Sequence, residues 1–221
     1  MKTLIACVAT LELMTLPMPL AAQSRTTVAS GDTPSLSLRP FVMAIGERLS
    51  AKTTFEATFG QSFEPFWGGG LQLALRNGLF VEVSASRLEK MGQRAFLNTG
   101  QIFRLGIPLT TTITPVEVSG GYRFKLARSP WIAHYVGAGA GSYSYKETSD
   151  FSESSENVDT RHAGYLAVGG AEFRLHRWVG VGVDAQYTHV PGIFGDGGLS
   201  KDAGEKDLGG LAARLRVIVG R

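Results

Sequence analysis

The stretch AEFRLHRWVGVGVDAQYTHV, residues 171–190, contains two runs in which every second side chain is apolar. Phe173 and Leu175 belong to the first run, and Val179, Val181, Val183, Ala185 and Tyr187 to the second, with only His176, Arg177 and Trp178 between them. Successive side chains of a strand point to opposite faces. One face of this hairpin is therefore apolar throughout, while the other carries Glu172 and Asp184. A chain built from such segments is confined to sheets with one apolar and one charged face.

The same period predicts strands over residues 36–48, 65–75, 79–88, 112–124, 131–146, 161–175, 179–190 and 207–220, and no helix competes with them. Residues 95–107, AFLNTGQIFRLGI, fit either a further strand or an extension of their neighbours. Three connections are short: Arg76 to Gly78, Lys125 to Pro130, and His176 to Trp178. The other four run to about 14 to 23 residues. Short and long alternate strictly, which predicts tight turns at one end of a barrel and long loops at the other.

Side-chain parity tests each hairpin, because directly opposed residues face the same side. A three-residue loop at 76–78 sets Leu73 against Val81 and Leu71 against Val83, whereas a two-residue Asn-Gly turn would oppose Leu73 to Glu82. The longer turn is expected, with Gly78 left-handed. The same rule sets Leu175 against Val179, Phe173 against Val181, Phe124 against Trp131 and Tyr122 against Ala133.

The apolar faces carry no charge over the strand centres, and the opposite faces gather Arg39, Glu82, Glu117, Arg123, Glu172, Asp184, Arg214 and Arg216, with Gln72 and Gln186. Alternation alone suits a soluble sandwich or a membrane barrel. Three features favour lipid. Aromatic residues cluster near strand ends: Phe124, Trp131, Phe173 and Trp178 by the short turns, and Trp67, Tyr143, Tyr145, Tyr165 and Tyr187 toward the long loops. Such belts suit two membrane interfaces. Residues 1–22 read as a cleaved export signal, with Lys2, an apolar run from Leu4 to Leu16, and Leu20-Ala21-Ala22 before the cut. Glycines recur within the strands, where they permit the bending that closure requires. The expected organisation is a signal at 1–22, a flexible segment at 23–34 and one eight-stranded antiparallel transmembrane barrel at 35–221.

Cys7, the only cysteine, falls in the signal, which leaves neither disulfides nor thiolate chemistry to the mature chain. The net charge of +3 is scattered, so nucleic acid is not an indicated partner.

VEVSGGYRF, PWIAHYVGAGAGSYSYK and WVGVGVDAQY resemble strands of the small bacterial outer-membrane β-barrels of the OmpA and OmpW type. The resemblance spans residues 35–221 and implies an outer-membrane location, with outer-membrane lipid and the barrel-assembly machinery as partners. Barrels of this type usually end in an aromatic residue that resembles the assembly signal, whereas residue 221 here is Arg.

Eight strands enclose little more space than side chains fill. The four acids and four arginines are therefore expected to pair inside as a structural network, each carboxylate with an arginine in reach. His134, His162, His176 and His189 show no metal-ligand spacing, and Thr188 beside His189 must face the opposite side. No metal, cofactor or catalytic residue is indicated. The acidic run ETSDFSESSENVD at 147–159 and GDGGLSKDAGEKD at 195–207 read as solvated loops. The leading expectation is a non-enzymatic envelope protein whose long loops meet an unspecified surface ligand. The alternatives are passage of small apolar solutes, a lipid-modifying enzyme near His189, and a soluble periplasmic binding barrel.

Overall fold

The computed structural model describes residues 36–98, 101–149, 157–195 and 198–220. The signal segment, the N-terminal linker, Arg221 and the middle of the acidic loop lie outside them. Eight strands form a closed antiparallel ring in sequence order: β1 (Leu36–Leu49), β2 (Phe63–Leu75), β3 (Leu79–Asn98), β4 (Gln101–Leu126), β5 (Ser129–Thr148), β6 (Val158–His176), β7 (Val179–His189) and β8 (Gly210–Val219). Pairing of β1 with β8, Val42 opposite Val217, closes the ring and leaves no sheet edge along the barrel wall.

The β2–β3 turn has the register expected from parity, with Leu73 opposite Val81 and Leu71 opposite Val83. Gly78 adopts φ 92°, and a Cβ there would lie 2.6 Å from the Arg123 carbonyl oxygen. In the β6–β7 hairpin Phe173 opposes Val181, but a bulge between Arg174 and His176 brings His176 rather than Leu175 opposite Val179.

The β4–β5 hairpin departs further from expectation. The strands run on to a two-residue turn at 127–128 and a bulge follows, so Phe124 opposes His134, not Trp131, and Tyr122 opposes Val136, not Ala133. The register moves by an odd number of residues, which exchanges the two faces of β5. Tyr135, Tyr143 and Tyr145 consequently point inward, each 3 % exposed. Tyr143 and Tyr145 are therefore lumen residues, not the interface aromatics that the sequence suggests. Gly137 shares their face, and a Cβ on it would lie 2.9 Å from the Gly120 carbonyl oxygen and 3.2 Å from the Phe80 ring.

Two further elements go beyond the sequence pattern. Residues 95–98 and 101–107 extend β3 and β4 into a two-stranded arm that projects past the other strands, with Phe96 and Phe103 stacked 5.2 Å apart. The β1–β2 loop carries helix α1 (Lys52–Phe59), and a short helix α2 (Gly198–Asp202) lies between β7 and β8.

Candidate functional site: a filled lumen beneath a structured outer cap

The outward faces decide what surrounds the barrel. Leu73 on β2, Val81 on β3, Val118 on β4, Val136 on β5, Val183 on β7 and Leu215 on β8 are 40–55 % exposed, and no charged residue shares their level. Trp67, Tyr165 and Tyr187 flank this band toward the long loops, and Tyr122, Trp131 and Trp178 toward the short turns. Phe124 and Phe173 are half-buried at the second level, against His134 and Trp131 respectively. Outward charges begin only beyond the band, where Lys146 pairs with Asp159 at 2.7 Å. A continuous apolar band of this width on a monomer would be an unstable surface in water, and between two aromatic girdles it matches a hydrocarbon layer. The chain has the fold of a small outer-membrane β-barrel. Its apolar band is placed to lie in lipid.

Inside, all eight predicted charged residues join one connected system. Near the short turns Glu172 accepts hydrogen bonds from Arg123 Nη2 at 2.7 Å and from both terminal nitrogens of Arg39. Arg39 also donates to Gln72 at 2.9 Å, and Gln72 donates to Glu82 at 2.9 Å. Arg216 donates to Glu82 at 2.8 Å and to the Tyr135 hydroxyl, and its guanidinium lies between the rings of Phe41 and Tyr135, 5.3 and 4.9 Å from their centroids.

Tyr135 in turn donates to Asp184 Oδ2 at 2.6 Å, and Arg214 Nε donates to the other carboxylate oxygen. Arg216 Nε lies 2.9 Å from Asp184 Oδ2 as an ion-pair contact, with its N–H not aligned for a hydrogen bond. Arg214 also donates to Gln186, which donates to Glu117 at 2.9 Å and to Thr188 at 3.1 Å. Glu117 departs from the expected pattern: Gln186 and the Tyr143 hydroxyl, at 2.6 Å, hold it in place of a directly bonded arginine. Within this network four guanidiniums balance four carboxylates. Nearer the long loops the inner face also carries Glu64, paired with Lys90 at 2.7 Å, and Glu47 opposite it on β1. Tyr135 and Tyr143 are members that the alternation pattern does not place in the network.

Above the network the lumen is closed by an apolar layer that includes Leu49, Phe66, Ile113, Tyr145, Val190 and Phe194. The loops over it are tied together. No side chain of its own caps α1; instead Glu205, from the β7–β8 loop, accepts the amides of Thr53 and Thr54 at 2.7 and 2.9 Å and the Thr54 hydroxyl at 2.6 Å. At the other end of α1, Arg104 of the arm donates to the carbonyls of Ala57 and Glu56 at 3.0 and 3.1 Å. A carboxylate at the N-terminus and a guanidinium at the C-terminus meet the unpaired backbone groups and the dipole of the helix.

Between α1, the base of the arm, β5, β6 and the β7–β8 loop lies a cavity of about 470 Å³. Leu105, Leu109, Val158, Ile193, Phe194 and Leu199 supply its apolar wall, and Arg94, Glu147, Thr54, Thr160 and Ser200 its polar groups. The Tyr145 hydroxyl donates to Glu147. Burial pushes the Glu147 carboxyl above the usual range, against the pull of the Tyr145 hydroxyl and of Arg94.

His189 lies on the outer face at the rim, its Nδ1 3.0 Å from Asp207, while Thr188 faces the lumen. Strand alternation thus separates the hydroxyl from the imidazole. Among the described residues no three His, Cys, Asp or Glu side chains are grouped to hold a metal ion.

No family model matches the chain, and no curated protein matches it. Solved structures do. Ail, the attachment invasion locus protein of Yersinia pestis, solved with the heparin analogue sucrose octasulfate, is 13 % identical over 85 % of this chain and 100 % of its own, with TM-score 0.47. Neisserial surface protein A is 10 % identical over 85 % and 96 %, with TM-score 0.48. A major outer membrane protein of Thermus thermophilus is 10 % identical over 83 % and 99 %, with TM-score 0.49.

Proposed function

We propose that this protein is a sealed, non-enzymatic outer-membrane scaffold whose long loops form a recognition surface at the cell exterior. The carrying observation is the division between a lumen filled from Arg123 to Phe194 and an outer cap whose loops are locked to one another by Glu205 and Arg104. A filled lumen does not serve diffusion, and the structure-building interactions above it belong to the loops, where rigid scaffolds carry recognition. The interior charges serve to satisfy one another away from lipid, and the outward aromatics to seat the barrel at the two interfaces. The separation of Thr188 from His189 supports a role without catalysis at the rim.

Conductance in planar bilayers tests the sealed lumen. The purified barrel is expected to give no current steps above the bare bilayer; reproducible ohmic steps would overturn the reading. Passage of small apolar solutes is a second reading, favoured by the apolar wall of the outer cavity. It requires a sideways exit between strands, and uptake of a neutral hydrocarbon tracer by vesicles containing the barrel would reveal it.

A further inference from the structure

We infer that the outer cavity is a dead-end binding pocket for one small, electrically neutral amphipathic molecule that donates a hydrogen bond to Glu147. The inference rests on the recognition role proposed above and gives it a ligand class. Three observations carry it.

The first is size and wall chemistry. A volume of about 470 Å³ lies in the range of small-molecule sites, and an apolar wall with a few convergent polar groups is their usual composition. The Phe194 ring meets Tyr145 edge-on at 4.8 Å and Phe55 at 6.2 Å, and these rings belong to the apolar layer that separates the cavity from the charge network. A molecule entering from outside therefore leaves by the same route.

The second is charge. Among the described lining residues the ionisable groups besides the Tyr145 phenol are Arg94 and Glu147, one of each sign. A ligand with a net charge would meet a group of each sign and would lose its hydration, which favours a neutral molecule.

The third is unfilled hydrogen-bonding capacity. Glu147 takes the Tyr145 hydroxyl on one oxygen, and a carboxylate has room for further donors. Thr160 Oγ1, in the cavity wall, and His162 Nδ1, two residues along the same face of β6, are shielded from solvent without a protein partner. A buried polar atom left without a partner is costly, and a bound hydroxyl or N–H group would remove that cost. The class that fits all three is a compact ring or short chain with an O–H or N–H donor: a phenol, an arylamine or an alcohol.

The probe is N-phenyl-1-naphthylamine, a neutral pair of apolar ring systems joined by one N–H. Its fluorescence is titrated against the full chain in lipid nanodiscs, with empty nanodiscs giving the lipid background. The expected result is a saturable component of one molecule per barrel. It should weaken at least tenfold in the cavity-filling double variant Leu109→Trp, Thr160→Trp, and about threefold in the isosteric Glu147→Gln. Heat-dependent gel mobility checks that each variant is folded. A wild-type signal equal to empty nanodiscs overturns the pocket, as does saturable binding that the folded double variant retains in full. Either result leaves the conductance test untouched, so failure of the pocket and failure of the sealed-scaffold reading are separately visible.

Discussion

Replacing Asp184 by Ala withdraws one carboxylate from the centre of the lumen and leaves both of its arginines in place. Asp184 takes the Tyr135 hydroxyl at 2.6 Å, the Nε of Arg214, and the ion-pair contact from Arg216 at 2.9 Å, and its side chain is fully buried. After the substitution the network holds four guanidiniums and three carboxylates, and Arg214 and Arg216 lose the carboxylate they share away from water. Removing one partner of a buried pair costs about 3–5 kcal/mol, because the charge left behind keeps its desolvation penalty. Tyr135 still accepts from Arg216, but its O–H loses the acceptor it had in Asp184. A loss of about 4 kcal/mol is therefore expected. At an m-value of about 2 kcal/mol per molar urea this moves the unfolding midpoint down by about 2 M. The assay is equilibrium urea unfolding in phospholipid vesicles, followed by tryptophan fluorescence, with equal slopes required of both proteins. Asp184→Asn, which keeps the shape and an acceptor oxygen, should lose roughly half as much. A loss below about 1 kcal/mol, the value of a solvated ion pair, would refute the reasoning, because it would mean that water screens the interior charges.

Other perturbations separate the remaining parts of the account. Val183→Arg places a guanidinium in the middle of the lipid-facing band and should cost about 2–4 kcal/mol in the same vesicle titration; a neutral result would mean the band does not face lipid. Glu205→Ala removes the borrowed cap of α1 and should lower local stability by about 1–2 kcal/mol. Amide exchange at Thr53 and Thr54 should accelerate while heat-dependent gel mobility stays unchanged. Because burial holds the Glu147 carboxyl above its ordinary range, folding the cap favours the protonated form. Cap stability should therefore rise as pH falls from above the folded-state value toward the ordinary carboxylate range, then level off. Glu147→Gln should abolish that trend in the exchange protection of residues 158–160.

The barrel is legible in the sequence because its outward faces are long and uniform. On β2, β3, β7 and β8 an inward charge or amide stands between outward aliphatics, so a slip by one residue would put Glu82 or Asp184 into lipid. β5 lacks that safeguard. From Tyr135 to Ser144 neither face carries a charge, so parity rests on the length of the turn alone, and the bulge after Ser129 reverses it. That reversal moves Tyr143 and Tyr145 into the lumen, and it hides Tyr135, the link between Arg216 and Asp184, from the alternation pattern. A cue is present in Gly137, Gly139 and Gly141, which share the face of the three tyrosines and leave space for rings such as Phe80 inside.

The cap is less legible, because its order comes from contacts distant in sequence. α1 has no cap residue of its own at Ala51, and the carboxylate that completes it comes from Glu205, on the far side of the chain. The outward reach of β3 and β4 cannot be read from residues 95–107, which contain Gly100 and Gly106 and no clean alternation. The cavity among these elements is built from loop segments, none of which carries a recognisable motif.

The most direct measurement is the depth of nitroxide labels on the apolar band. Single cysteines at Leu73, Val83, Val118, Val183 and Leu215, labelled and reconstituted in vesicles, report collisions with oxygen, which dissolves in lipid, and with a water-soluble nickel chelate. All five labels are predicted to be open to oxygen and shielded from nickel, as a ring of lipid-facing positions requires. Nickel-accessible labels around the ring, on a chain that stays in solution without detergent, would contradict the transmembrane assignment.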